Sequence, residues 1–170
     1  MKMVKYWFTA DTHFGHENII DYCNRPFKSV SHMDMELIRR WNERVKPEDV
    51  VLHLGDMAFR HVLRPRDYLD QLNGEKIIIK GNHDRHNDVK SILTSAVIRY
   101  GGIDFWLSHE PKAVYKYNLC GHVHGHWRVR RRGSHVIVNV GVDVWDFRPI
   151  DINEILAVIS HSASQKCQDT

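Results

Sequence analysis

Residues 49–56 read DVVLHLGD and residues 75–84 read EKIIIKGNHD. Each stretch is a short apolar run that stops at a glycine and then changes to oxygen and imidazole side chains. A run of this length, rich in β-branched residues, suits a strand buried on both faces of a parallel sheet. Pro65 to Leu72 lies between them and opens on a proline, which is preorganised for the first turn of a helix. Strand, helix and strand in that order make a βαβ unit.

Upstream, Lys5 to Ala10 is another short apolar run, ending at Asp11-Thr12-His13. Glu17 to Cys23 has room for one or two helical turns. Asp34, Leu37, Ile38, Trp41 and Val45 follow helical spacing, with Ser31 as the expected N-cap and Pro47 as the stop. Asp88 to Leu93 is expected as a further short helix. Beyond residue 95 the pattern becomes antiparallel. Ala96–Tyr100 and Ile103–Ser108 flank Gly101-Gly102, and Trp127–Arg132 and His135–Val140 flank Gly133-Ser134. Both pairs are hairpin signals. Tyr117 to Cys120 adds a strand, and Ile152 to Ser160 is a strand or a helix, which periodicity leaves open. The expected fold is α/β, a compact sandwich of mixed β-sheets flanked by helices. One domain is expected over residues 1–161, followed by a polar tail over 162–170.

The chain has 170 residues, 42% hydrophobic and 26% charged, which excludes disorder, collagen and coiled coil as the main state. No apolar run approaches the ~20 residues needed to span a bilayer, and no signal-peptide core precedes Asp11, so a cytoplasmic protein without membrane contact is expected. Cys23, Cys120 and Cys167 are too few and too far apart for a disulfide framework or a zinc finger. The net charge of +3 is compatible with a phosphate-bearing partner. Histidine is the unusual count, at 13 residues, and histidine is both the commonest metal ligand and the usual near-neutral acid or base.

These histidines are placed rather than scattered. Five segments follow predicted strands: Asp11-Thr12-His13, Gly55-Asp56, Gly81-Asn82-His83-Asp84, Ser108-His109, and Gly121-His122-Val123-His124. Ligands of open α/β sheets bind beyond the carboxyl ends of strands. In extended backbone, residues two apart share a face, so Asp11 with His13 and His122 with His124 are each expected to grip one ion together. Any one segment alone reads as an ordinary turn. Five independent turns have no reason to carry only oxygen and imidazole ligands.

In this order the segments DTH, GD, GNHD, SHEP and GHVH resemble the calcineurin-like metallophosphoesterase superfamily, and FTADTHFGHENII, GDMAF and NVGVDVWDFRPI are similar to a small bacterial and phage branch of it. The resemblance covers about residues 6–150. It implies a metallophosphoesterase-type sandwich and two divalent ions. One ion would be held by Asp11, His13 and His124, the other by Asn82, His109 and His122, with Asp56 shared. His83 would face the substrate as a proton donor, with Asp84 orienting its imidazole. A phosphoesterase using a hydroxide between two metals follows, with a phosphodiesterase or nuclease favoured over a phosphomonoesterase. A catalytically silent metal-bound interaction module is the rival from another class.

A mixed carboxylate, imidazole and amide shell with no thiolate accepts Mn, Fe, Co, Ni or Zn, and Mn²⁺ is favoured. His16, Arg25 and Arg60 are candidate phosphate contacts, the arginines as bidentate donors. Asp143 and Trp145 read as a turn and a packed aromatic. On a strand, Arg128, Arg130 and Arg132 share one face and would track a nucleic-acid backbone, or else protect a sheet edge.

Overall fold

The computed structural model describes residues 4–59 and 62–164. Among the described residues, nine strands form two sheets. The first contains β1 (Tyr6–Thr9), β2 (Val50–His53), β3 (Glu75–Ile78) and β9 (Ile150–Asp151) in the order β3-β2-β1-β9. β1, β2 and β3 are parallel, and β9 runs antiparallel to β1. The second contains β4 (Ser95–Tyr100), β5 (Ile103–Ser108), β6 (Tyr117–Cys120), β7 (Val129–Arg132) and β8 (His135–Asn139) in the order β4-β5-β6-β8-β7. Here β5, β6 and β8 are parallel, and each edge strand is antiparallel to its neighbour.

Period-two alternation divides the core. Phe8 and Leu52 face the second sheet, where they meet Phe105, Leu107, Leu119, Val136 and Val138. Trp7 and Val51 face the other way, onto α2 (Val30–Arg44). That helix turns Met33, Leu37 and Trp41 inward at helical spacing. The rest of that layer is α1 (Ile19–Tyr22) and α3 (Pro65–Leu69). The closing segment resolves as α4 (Ile152–Ser164), whose Ile152, Ile155 and Ile159 cover the inter-sheet core.

Three local expectations change. The N-cap of α2 is Ser29, not Ser31; its hydroxyl accepts from His32 N at 3.2 Å. Asp34 is therefore turned inward, where it accepts from Gly15 N and Tyr68 Oη. Asp88 to Leu93 is not a helix, because Ile92 is 97% exposed and no apolar face exists to pack one. Leu93 bridges Ile79 in parallel instead, and a single 3-10 turn covers Asp84–His86. Finally, β3 is an edge strand whose Ile77 is exposed, where EKIIIK reads as a fully buried one.

Candidate metal centre

The parallel strands of both sheets end on one side of the molecule. Asp11 follows β1, Asp56 follows β2 and Asn82 follows β3; His109 follows β5 and His122 follows β6. The loops are stitched together below the ligands. Asp11 N donates to Gly55 O at 3.0 Å and His13 N to Asp56 O at 3.1 Å. Gly55 has φ +94°, and a Cβ there would stand 2.6 Å from His109 Nδ1. Only glycine permits both that backbone conformation and the approach.

Five of the seven expected ligands have left-handed backbone: Asp11 (φ 56°), His13 (50°), Asp56 (56°), His122 (71°) and His124 (45°). Each non-glycine residue there costs about 1–2 kcal/mol relative to ordinary backbone. Such strain persists only where surrounding structure over-determines it, and it clusters at functional sites. It also corrects the expectation for paired side chains. His122 and His124 do not share a face, because neither is extended.

His124 joins Asp11 and His13, with donor atoms within 4.8 Å of one another. His122 turns to the other side. Its Nδ1 lies 3.1 Å from Asn82 Oδ1 and 3.3 Å from His109 Nε2. His109 Nε2 is also 2.8 Å from Asn82 Oδ1 and 3.3 Å from Asp56 Oδ2. Asp56 Oδ2 is 3.7 Å from His13 Nε2, so this carboxylate stands between the two groups.

The tautomers follow from the partners. His109 Nδ1 is 2.8 Å from Leu54 O, which can only accept, so Nδ1 carries a proton and neutral Nε2 is a lone pair. That lone pair meets two further acceptors, Asp56 Oδ2 and Asn82 Oδ1. With His122 Nδ1 also a lone pair, as a metal-binding ring nitrogen must be, these acceptors converge without a donor and call for a cation or a proton among them. His13 is 1% exposed, and neither of its ring nitrogens has a hydrogen-bond partner. Buried polar atoms are rarely left so, and here they are aimed at carboxylates. The donor set fits divalent metal at both positions.

Without metal, protons take that place. Burial disfavours a charged His109, but Asp56 and Asp11 overcome it and lift its pKa to about 9. Burial likewise opposes charge on His124, and Asp143, Cys23 and Asp11 raise it to about 10. Burial lifts Asp11 to about 6. Asp56 is held well below the usual carboxylate range, because His109 and His13 outweigh its burial.

Two candidate roles change. Arg25 is not a phosphate contact. It is 4% exposed, its guanidinium grips both oxygens of Asp143 at 2.8 and 3.0 Å, and it donates to Asp11 O and Thr12 O. All its useful donors are directed inward. Asp84 does not orient the His83 ring. Its carboxylate accepts from Asp56 N, Met57 N and Gly81 N at 2.8–2.9 Å, pinning the two loops that carry Asp56 and Asn82. Arg60 lies outside the described residues.

His83 and His16 border one cleft beside the candidate ligands. The His83 side chain is 51% exposed, with Nε2 4.0 Å from Asp56 Oδ2. Its backbone N donates to Asp56 Oδ1 at 2.9 Å. His16 stacks on Phe59 with ring centroids 3.9 Å apart. Both histidines line a cleft of about 580 Å³ that also takes in His13, His124, Cys23 and His126.

Asp143 supports a candidate ligand, which its sequence context did not show. It accepts from His124 Nδ1 at 3.0 Å as well as from Arg25, leaving Nε2 as the lone-pair atom of the neutral ring. A carboxylate behind a ligand histidine fixes its tautomer and orientation. The available signal was its place after a strand, like the five other segments. Cys23 had no such signal, yet its thiol lies within 4.8 Å of the His124 and Asp143 donors. The neighbourhood is therefore not free of sulfur, as the motifs alone suggest. Arg128 is also removed from the expected stripe. It stacks 4.3 Å over the Trp145 ring and donates to Val144 O.

No helix among the described residues is long and apolar enough to cross a membrane. The chain is 36% identical over 169 residues to the uncharacterized protein MJ1445 of Methanocaldococcus jannaschii, covering 94% of this chain and 93% of that one. It is 24% identical over 200 residues to the gene 66 protein of Mycobacterium phage L5, covering 94% and 96%. Among solved structures it is similar to AQ665 of Aquifex aeolicus, a protein of unknown function, at TM-score 0.72 and 27% identity over 92% of this chain and all of that one. The family model for the calcineurin-like phosphoesterase superfamily domain matches residues 8–146. With that match spanning every metal-ligand candidate, the chain belongs to the calcineurin-like phosphoesterase superfamily.

Proposed function

We propose that this chain hydrolyses phosphate esters at a dinuclear divalent-metal centre, with phosphodiesters preferred and Mn²⁺ the first metal to supply. The observation that carries the reading is the meeting of three acceptors, His109 Nε2, Asp56 Oδ2 and Asn82 Oδ1, within 2.8–3.3 Å along His109's contacts. Asp11, His13 and His124 would hold one ion, and Asn82, His109 and His122 the other, with Asp56 shared. When bound, such ions neutralise phosphoryl oxygens and make water nucleophilic near neutral pH.

The side chains do the remainder. Asp56 keeps its negative charge between the two ligand groups and reduces cation repulsion. Asp143 holds His124 in the tautomer that leaves Nε2 free. His83 donates a proton to the departing ester oxygen from Nε2, the nitrogen nearer Asp56. Asp84 keeps the His83 loop against the Asp56 loop.

The diester preference rests on space. Clefts lie on two sides of the centre, one with His13, His83 and His124 and one with Asn82 and His109. A phosphoryl group between them has room for a substituent on each side. The test compares bis(4-nitrophenyl) phosphate with 4-nitrophenyl phosphate under added Mn²⁺. Faster diester hydrolysis is expected. A clear monoester preference would leave a phosphatase, and no turnover with any divalent metal would leave a metal-bound interaction module.

A further inference from the structure

The cleft on the Asn82 and His109 side has a composition unlike the histidine-rich cleft opposite. It encloses about 410 Å³, within the usual range for ligand sites. Lys80, Arg85 and Lys112 line it together with His86, and Glu110 is its single carboxylate. None of these three cations has a carboxylate partner among the described residues, whereas Arg39, Arg44, Arg64, Arg99 and Arg148 are all ion-paired. The three come from separate places in the chain. Lys80 follows β3, Arg85 sits in the 3-10 turn after His83, and Lys112 is in the loop after β5.

That convergence is held in place by backbone. Lys80 N donates to Leu93 O at 2.7 Å, and Lys112 N donates to Asn118 Oδ1 at 2.8 Å. The Arg85 turn is fastened by Asn87 Nδ2 on His83 O at 2.8 Å. Unpaired cations on fixed loops, open to water and next to two expected metal ligands, suit a group with several anionic oxygens. Arginine and lysine recognise phosphate in this way, the first as a planar fork and the second as a point charge.

We propose that this cleft binds a second phosphoryl group of the substrate, one that is not hydrolysed. The proposal rests on the phosphoesterase reading above and narrows it to substrates with at least two phosphates. That second group is either joined directly, as in a nucleoside diphosphate, or spaced by a sugar, as along a nucleic-acid strand. The phosphate anchor is thus assigned to this cleft and not to the arginine hairpin, where Arg128 is stacked on Trp145.

The experiment is calorimetric binding to the Mn²⁺-loaded protein of thymidine 5′-phosphate, thymidine 5′-diphosphate and thymidine 3′,5′-bisphosphate. At least one two-phosphate compound is expected to bind about tenfold tighter than the monophosphate, a difference of about 1.4 kcal/mol. The better of the two identifies the spacing. In Lys80→Ala/Arg85→Ala/Lys112→Ala the affinity ratio should fall to near one. In Arg130→Ala/Arg132→Ala it should stay as in the parent. Equal affinities in the parent protein, or a ratio that survives the triple substitution, would overturn the proposal. Nitrophenolate release from bis(4-nitrophenyl) phosphate is measured on the same preparation. Its absence would overturn the phosphoesterase reading, while the affinity ratio still decides the cleft.

Discussion

Arg25 and Asp143 stand 118 residues apart in sequence and form a buried two-pronged ion pair, Nε to Oδ1 at 2.8 Å and Nη2 to Oδ2 at 3.0 Å. Each partner has a second task. Arg25 holds the carbonyls of Asp11 and Thr12, and Asp143 holds His124. The pair therefore ties the first ligand loop to the last one. It sets where Asp11 and His124 stand relative to each other.

Removing one partner leaves the other charge buried alone, which typically costs about 3–5 kcal/mol. Arg25→Met is expected to lower stability by that order in chemical denaturation of the metal-free protein. Arg25→Lys should rescue little, because one ammonium cannot span two carboxylate oxygens and two carbonyls. A Lys variant as stable as the parent, with unchanged metal affinity, would show that the fork is dispensable.

Asp56 lies between both ligand groups, so its loss is expected to reach both. Asp56→Ala should abolish turnover and leave less than full occupancy at each metal position, read by elemental analysis after desalting. Retention of two ions per chain would contradict its shared role.

Chelation should remove activity without unfolding the chain. Two apolar clusters, one between the sheets and one under α2, pack without any ligand residue. Far-ultraviolet circular dichroism is expected to persist at room temperature in excess chelator, with Tm lowered through loss of ligand linkage. Collapse of the spectrum would indicate a structural metal instead.

His83 is half-exposed and outside both ligand groups. His83→Ala is expected to keep both ions and to lose roughly 10²–10⁴-fold in turnover of an alkyl ester, the range of general-acid contributions. For a nitrophenyl ester, which leaves unprotonated, the loss should be much smaller. Equal losses on both esters would remove the proton-donor role.

Metal uptake should release protons. In the metal-free protein His109 and His124 keep theirs up to about pH 9 and 10, and a cation binds only the neutral ring. At pH 7 loading must therefore expel protons from both, and affinity should rise with pH until those values are passed. Below about pH 6 a protonated Asp11 adds to the loss. Calorimetry in two buffers of different ionisation enthalpy gives the number released, and a value of zero at pH 7 would refute the protonated resting state.

The sequence by itself determined the α/β class, both glycine-turned hairpins, and the five Asp-, Asn- and His-bearing segments that the fold gathers beyond its strand ends. Short apolar runs ending in Gly, Asp, Asn or His are local patterns, and the two-residue and 3.6-residue periods of strands and helices make them legible. Only the tertiary structure decided what those local patterns share. Arg25 reads as a candidate phosphate contact until Asp143 arrives from 118 residues away. Asp84 reads as a partner for its neighbour His83 until three backbone amides from two loops close on its carboxylate. His122 and His124 look like one pair until left-handed backbone sends them to different groups. Lys80, Arg85 and Lys112 are unremarkable in the chain and line one cleft only because the loops after β3 and β5 meet. A side chain's task depends on which buried charge or unpaired amide it meets. Those encounters are long-range, so no periodicity in the sequence carries them.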